Sequence, residues 1–324
     1  MRIHVQTLPS EPRFAITREQ WAEAAARAGE SGHQVSFAAD PAEGRAALAE
    51  VEALVVQTGA LAALQPLAAP KLRLLFCTSA GLDRLAPFDW LPPGVALLNN
   101  RGVHAARAGE YALMALLMLA GNLPAFGTDQ RAERWQPRHG HVLAGRRLVV
   151  MGVGALGGAG AEQAARLGMR VTGVRATPRP HPACERVVGA DALDAALAEA
   201  EFLLLSAPLT PATRGIIDRR RLGLLPRGAG IVNIGRGALL DQEALCDALE
   251  GGQLGGAVLD VFTPEPIPPG HRLWRTPKLV ITPHISADDP ATYNPLSLDL
   301  FWANVRAWRE GRPLPNRFGL ERGY

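Results

Sequence analysis

The chain has 324 residues, 48% of them hydrophobic and 20% charged, the composition of an ordinary globular protein. At roughly 150 residues per domain, that length predicts about two domains. Thirty-four basic residues against 31 acidic ones leave a net charge of +3. With no basic run along the chain, that excess gives no reason to expect a nucleic-acid partner. Only Lys71 and Lys278 are lysines, so arginine is so common that no single one is strong evidence of a site.

The longest apolar run, 111–120, is half of the ~20 residues a membrane span needs. The first residues lack the apolar stretch of a signal peptide. Cys77, Cys184 and Cys246 form no C-x-x-C pair and the histidines show no metal-ligand spacing. A cytoplasmic, metal-free protein without a membrane segment is therefore expected.

Taken in chain order, strand and helix patterns alternate, which predicts parallel sheets covered by helices on both faces. A short strand at 3–5 comes first. Thr17 then caps a helix, Gln20 completes a capping box, and Gly29 or Gly32 ends it. Strands follow at 51–56, 72–77 and 95–98, the second running into the turn Thr78-Ser79-Ala80-Gly81. These form a small α/β unit over 1–100. Residues 106–120 read as an apolar helix, buried on most sides at a domain junction or subunit interface. A second series of strands, at 147–151, 169–174, 202–206, 230–234, 256–259 and 279–282, predicts a doubly wound sheet of at least six strands over 101–287. An amphipathic helix at 296–309 lies in a segment, 288–324, that returns to the first domain.

The strand at 147–151 runs directly into Gly152-Val153-Gly154-Ala155-Leu156-Gly157 and then a helix, the strand–turn–helix context of a dinucleotide site. Gly152 permits the turn, Gly154 lets the backbone approach a pyrophosphate, and Gly157 lets the helix pack against the strand. The helix opened by Ala155 and Leu156 offers its N–H groups to the phosphates. The competing reading is a tight packing turn. An NAD site usually carries an acid about 20 residues on, where it binds the ribose. Here the second strand ends at Val174, the next residue is Arg175, and no acid occurs before Glu185. Arg175, Thr177 and Arg179 can together hold a 2′-phosphate, so NADP is expected in preference to NAD.

Three later segments end predicted strands, where open α/β sheets place ligands. They carry Arg236 in Asn233-Ile234-Gly235-Arg236-Gly237, Glu265 after Asp260-Val261-Phe262-Thr263-Pro264, and His284 after Thr282-Pro283. This set suits reduction of a 2-keto acid: the cation anchors the carboxylate and polarises the carbonyl, the imidazole supplies a proton, and the carboxylate orients the ring.

These motifs, with Ser79-Ala80-Gly81-Leu82-Asp83, Asn100-Arg101-Gly102-Val103-His104, Gly109-Glu110-Tyr111 and Pro208-Leu209-Thr210-Pro211, resemble the D-isomer-specific 2-hydroxyacid dehydrogenase family, which includes glyoxylate/hydroxypyruvate reductases. The resemblance implies a Rossmann-type nucleotide domain inserted into a smaller flavodoxin-like substrate domain, and hydride transfer between NADP (or NAD) and a small 2-keto acid to give a D-2-hydroxy acid. It implies Arg236, Glu265 and His284 as catalytic residues, and Ser79, Ala80 and Gly81 as a substrate turn whose amides cradle the carboxylate. It further implies that Asp260 binds the nicotinamide carboxamide, that Ala207 and Pro208 line the cofactor channel, that Ile234 and Gly235 lie under the nicotinamide, and that the protein is a homodimer. A nucleotide-binding sensor or corepressor on the same fold is the alternative, which an intact Arg–Glu–His set speaks against. Departures from the family pattern are Gly109 in place of alanine, Asp288-Asp289 followed by Tyr293 after the histidine, and two additional glycines, Gly158 and Gly160.

Overall fold

In the computed structural model, which describes residues 1–321 and 323, the chain divides into two compact units. One comprises residues 1–103 together with the chain from Asp289 onward; the other comprises residues 104–288.

The first unit is a five-stranded parallel sheet of β1 (Arg2–Gln6), β2 (Gln34–Ala38), β3 (Ala53–Val56), β4 (Leu74–Cys77) and β5 (Ala96–Leu98), in the order β2-β1-β3-β4-β5. The inner strands β3 and β4 are unbroken apolar runs, ALVV and LLFC, fully buried, because both faces of a parallel sheet are covered. One face packs Ile3, Val5 and Phe76 against Trp21, Phe301 and Trp302, the last two from the helix Pro290–Arg309. The capping box forms as the sequence predicts: Thr17 Oγ1 accepts the Gln20 N–H, Gln20 Oε1 accepts the Thr17 N–H, and Gly29 ends the helix at φ 69°. The strand β2 is not anticipated. It is a sheet edge with mostly partial burial, so its sequence QVSFA lacks the apolar run that marks an inner strand.

The second unit holds seven parallel strands: β6 (Arg147–Met151), β7 (Arg170–Val174), β8 (Arg186–Val188), β9 (Phe202–Leu205), β10 (Ala229–Asn233), β11 (Leu254–Leu259) and β12 (Leu279–Ile281). Their order is β12-β11-β10-β9-β6-β7-β8. Winding reverses between β6 and β9, which makes that point the ligand crevice of an open α/β sheet. The helix Ala105–Ala120 crosses the helix Ala155–Arg166 on one face of this sheet. Two of the unusual glycines make that crossing possible. A Cβ on Gly160 would lie 2.7 Å from Leu204 Cδ2 and 3.1 Å from Ala112 Cβ, and one on Gly109 would lie 3.2 Å from Ala159. Tyr111, Ala112, Ala115 and Leu116 of the same helix are buried. Met114 and Leu117 face out, so the helix is less enclosed than its composition suggests.

Among the described residues no single helix is long and apolar enough to cross a membrane.

Candidate active site

The turn after β6 is shaped by what its glycines exclude. Gly152 adopts φ +97°, and a Cβ there would lie 2.5 Å from the backbone of Ala207. A Cβ on Gly157 would lie 2.2 Å from the Gly152 carbonyl oxygen and 2.3 Å from Ser206 Oγ. Ser206 Oγ donates to that same Gly152 carbonyl at 2.9 Å, tying the end of β9 to the turn. Gly154 differs, because a Cβ there would meet nothing within 4 Å. Close packing fixes Gly152 and Gly157, whereas the space above Gly154 is open for a phosphate to approach the backbone. Gly154 also precedes the helix Ala155–Arg166 and no side chain caps its first turn, which leaves the N–H groups of that turn available to an anion. The residues present fit a bound dinucleotide.

At the end of β7 the Arg175 N–H donates to Val188 O at 3.1 Å. Arg175 is half-buried, while Thr177 and Arg179 are exposed. Neighbouring arginines are paired: Arg170 with Glu185, Arg186 with Glu199, Arg220 and Arg221 with Asp194. Among the described residues neither Arg175 nor Arg179 has an ion-pair or side-chain hydrogen-bond partner. The same segment accounts for Gly158. The His181 ring, whose Nδ1 accepts the Ala183 N–H at 3.3 Å, sits with Nε2 3.0 Å from where a Gly158 Cβ would stand.

Ala207 and Gly235 are neighbours across the ends of β9 and β10, since a Gly235 Cβ would lie 3.1 Å from Ala207 O. Ile234 and Ala207 are buried and Pro208 is exposed. Asn233 shapes the next turn. Its Oδ1 accepts the Gly235 N–H at 3.1 Å and its Nδ2 donates to Arg236 O at 3.0 Å. Arg236 is half-buried, and its Nη1 donates to Gly235 O at 2.8 Å. The following glycine brings this turn against the segment after β11: a Cβ on Gly237 would lie 2.1 Å from the Phe262 backbone.

Glu265, in the segment after β11, uses both carboxylate oxygens. Oε1 accepts the Phe262 N–H at 2.7 Å, and Oε2 lies 2.9 Å from His284 Nδ1. The Glu265 side chain is 17% exposed and the His284 side chain 47%. The acid is tucked behind the ring and the ring is presented outward. With Nδ1 committed to a carboxylate, Nε2 is the nitrogen left to exchange a proton with a ligand.

His284 follows β12 in the left-handed conformation, φ 56°, which is costly for a residue with a Cβ. Asp260 holds it there. The Asp260 carbonyl accepts the His284 N–H at 2.9 Å. Its Oδ1 accepts the Ile285 N–H at 2.9 Å and the Thr282 hydroxyl at 2.6 Å, and its Oδ2 accepts the Ser286 N–H at 2.8 Å. Tyr111 OH lies 2.6 Å from Thr282 Oγ1, and burial pushes the Tyr111 phenol up to about 12. Since Thr282 gives its proton to Asp260, Tyr111 donates to Thr282. Asp260 is fully buried, and its carboxylate is engaged by the histidine loop. Thr282 and Tyr111 both lie in motifs that the sequence marks, but the sequence assigns neither of them a role.

Arg236, Glu265 and His284 thus leave the C-terminal ends of three adjacent strands, β10, β11 and β12. Ser79, Ala80 and Gly81 stand at the C-terminal end of β4 in the first unit. Asp289 is the N-cap of the helix Pro290–Arg309, accepting the Ala291 N–H and the Thr292 hydroxyl. Half of the acidic pair is therefore occupied with capping.

Residues 113–286 match the model of the D-isomer specific 2-hydroxyacid dehydrogenase NAD-binding domain. The chain belongs to the D-isomer specific 2-hydroxyacid dehydrogenase family. This dehydrogenase is 32% identical over 248 residues to glyoxylate/hydroxypyruvate reductase A of Serratia proteamaculans, covering 75% of this chain and 78% of that one. Among solved structures, a family member from Xanthobacter autotrophicus in complex with NADPH superposes with a TM-score of 0.82 at 30% identity, covering 99% of each chain. The NADPH-dependent glyoxylate/hydroxypyruvate reductase of Sinorhizobium meliloti, in complex with NADP and sulfate, gives a TM-score of 0.82 at 27% identity, covering 100% of this chain and 99% of that one. The doubly wound α/β architecture of the dehydrogenase is that of these relatives.

Proposed function

We propose that this dehydrogenase reduces a small 2-keto acid, of the size of glyoxylate or hydroxypyruvate, to the D-2-hydroxy acid, with NADPH preferred over NADH. The observation that carries the reading is the contact of His284 Nδ1 with Glu265 Oε2, on the two strand ends next in order after the one that bears Arg236. With its pyrophosphate at Gly154, a bound reduced dinucleotide would supply the hydride. The chain's own groups do the rest. Arg236 holds the carboxylate and draws electron density toward the carbonyl oxygen. His284 gives the Nε2 proton to that oxygen as the hydroxyl forms, and Glu265 stabilises the charged ring beforehand and keeps it in register. Asp260 we assign to holding the histidine loop. Ala207, Pro208, Ile234 and Gly235 are assigned to the channel of the nicotinamide. Ser79, Ala80 and Gly81 are assigned to the substrate carboxylate on the character of their own turn.

The NADPH preference rests on Arg175 and Arg179, two cations whose side chains have no ion-pair or hydrogen-bond partner among the described residues, beside Thr177, at the position where an NAD site carries an acid. Loss of reduced-nicotinamide absorbance, followed with a panel of 2-keto acids and both cofactors, tests the reading. Turnover of a small keto acid with NADPH is expected. Tight NADPH binding with no turnover across the panel would instead indicate a nucleotide sensor.

We also propose a homodimer through the second unit. Leu117, Leu123 and Phe126 are exposed there on the helices Ala105–Ala120 and Leu123–Arg131, and Trp135 just beyond them is 97% exposed. Exposed large apolar side chains on two successive helices support an interface there. Leu123→Arg should shift the protein to the monomer in sedimentation; a wild-type protein already monomeric would refute the dimer. Three free cysteines support a reducing compartment such as the cytoplasm.

A further inference from the structure

The turn after β4 is anchored through the Thr78 N–H, which donates to Val56 O at 3.0 Å, and beyond it through carbonyl groups. Thr78, Ser79 and Ala80 are consecutive, and each carbonyl oxygen accepts from the dipeptide Asn99-Asn100. Asn100 Nδ2 donates to Thr78 O at 2.8 Å, the Asn100 N–H to Ser79 O at 3.0 Å, and Asn99 Nδ2 to Ala80 O at 2.8 Å. Among the described residues nothing accepts from the N–H groups of Ser79, Ala80 or Gly81. Ser79 and Ala80 are half-buried and Gly81 is exposed, so these amides border open space.

A second element secures the same turn. Tyr293, from the helix Pro290–Arg309, donates its hydroxyl to Thr78 O. The contacts close into a ring. Asn100 Nδ2 also donates to Ser297 Oγ at 2.8 Å, and Ser297 Oγ donates to Tyr293 O at 2.6 Å. Every member is buried: Thr78, Asn100 and Ser297 are at most 2% exposed, and Tyr293 is 9%. A buried network that satisfies its donors in this way specifies one arrangement of the backbone. Here the arrangement occupies the carbonyl groups and spares the amides. Amides presented without acceptors form a site for an anion.

We infer that Asn99, Asn100 and Tyr293 are positioning residues for substrate: they fix the Ser79–Gly81 turn so that its N–H groups receive the keto-acid carboxylate. The inference rests on the proposed keto-acid reductase activity. It assigns a purpose to Tyr293, one of the departures from the family pattern. These residues touch neither substrate nor cofactor, so their effect is confined to the geometry of the turn. Loosening the turn weakens ground state and transition state alike, which raises KM and leaves kcat in place.

The test uses Tyr293→Phe, which removes the bond to Thr78 O, and Asn99→Ala, which removes the bond to Ala80 O together with the long 3.4 Å bond that Asn99 Oδ1 accepts from the Arg101 N–H. Each should raise the KM for glyoxylate or hydroxypyruvate by about fivefold, the equivalent of one lost hydrogen bond. The kcat should stay within about twofold, and the Kd for NADPH, from fluorescence titration, should not change. Oxalate, used as a carboxylate probe, should lose competitive affinity by the same factor. A merely structural role would lower kcat through loss of folded enzyme and leave KM and the oxalate Ki where they were; that result, in either variant, overturns the inference. Arg236→Ala separates this failure from failure of the function itself. If Arg236→Ala abolishes turnover while both positioning variants keep a wild-type KM, the activity stands and the positioning role falls.

Discussion

Glu265 holds His284 and is itself held: one carboxylate oxygen lies 2.9 Å from His284 Nδ1 while the other accepts the Phe262 N–H at 2.7 Å. The acid therefore has one orientation, and the ring inherits it. Replacement by Glu265→Gln keeps the shape and removes the charge that stabilises imidazolium. Turnover should fall about tenfold or more, because the ring loses its charged partner. A wild-type kcat in this variant would contradict the role assigned to the pair.

The histidine loop depends on a residue that never needs to touch the substrate. Asp260 accepts three successive backbone N–H groups, those of His284, Ile285 and Ser286, the first through its carbonyl and the others through its carboxylate. Asp260→Ala should cost kcat at least about tenfold, because a ring carried on a strained left-handed backbone drifts from its reacting position. Tyr111→Phe removes only the outermost bond, to Thr282, and should cost about 1 kcal/mol of stability, read from the urea midpoint, with little change in kcat. A larger kcat loss in Tyr111→Phe than in Asp260→Ala would reverse the hierarchy.

Cofactor choice is tested at Arg175 and Arg179. Each hydrogen bond to a charged group contributes about 1.5–3 kcal/mol. The double change Arg175→Ala with Arg179→Ala should therefore raise the KM for NADPH by tenfold or more and leave that for NADH within about twofold. An equal effect on both cofactors would mean that the arginines act on something other than the 2′-phosphate.

What the sequence reveals is mostly local. The glycine turn is readable because Gly152, Gly154 and Gly157 lie within six residues, and the capping box because Thr17 and Gln20 lie within one helical turn. The three catalytic side chains are readable because each follows an apolar strand, although the contact between Glu265 and His284 is a product of the sheet order. Two of the four edge strands, β2 and β8, are missed for a physical reason: they are the more exposed ones and need no apolar run. The support of the site is hidden for another. Tyr111 reaches Thr282 across 171 positions and Tyr293 reaches Thr78 across 215, and no local pattern announces such partners. Gly109, Gly158 and Gly160 look like helix defects in sequence; the crossing at Ala112 and Ala159 and the ring of His181 are what require them.

Two buried histidines predict how stability responds to acid. His4 lies in β1 with Nδ1 2.8 Å from Ser36 Oγ and Nε2 3.2 Å from Gln6 Oε1, and the Nδ1 of His104 lies 3.0 Å from Ala287 O. Burial, the larger effect in each, lowers both below the ordinary value of 6.5. The unfolded chain then binds protons that the folded one refuses, so stability is full above about pH 6.5 and declines as the pH falls from there toward the lowered folded values. The urea midpoint should be lower at about pH 5.5 than at about pH 7.5, and His4→Gln should shrink that difference. A difference unaltered by His4→Gln would remove His4 from the account.

The most direct test of the whole account is kcat for a small keto acid with NADPH in His284→Ala, measured alongside the Kd for NADPH. The account predicts a loss of about 10²–10⁴ in kcat with cofactor affinity unchanged, the mark of a missing proton donor. Turnover at the wild-type rate in this variant would show that His284 is not the acid and that the chemistry lies elsewhere in the molecule.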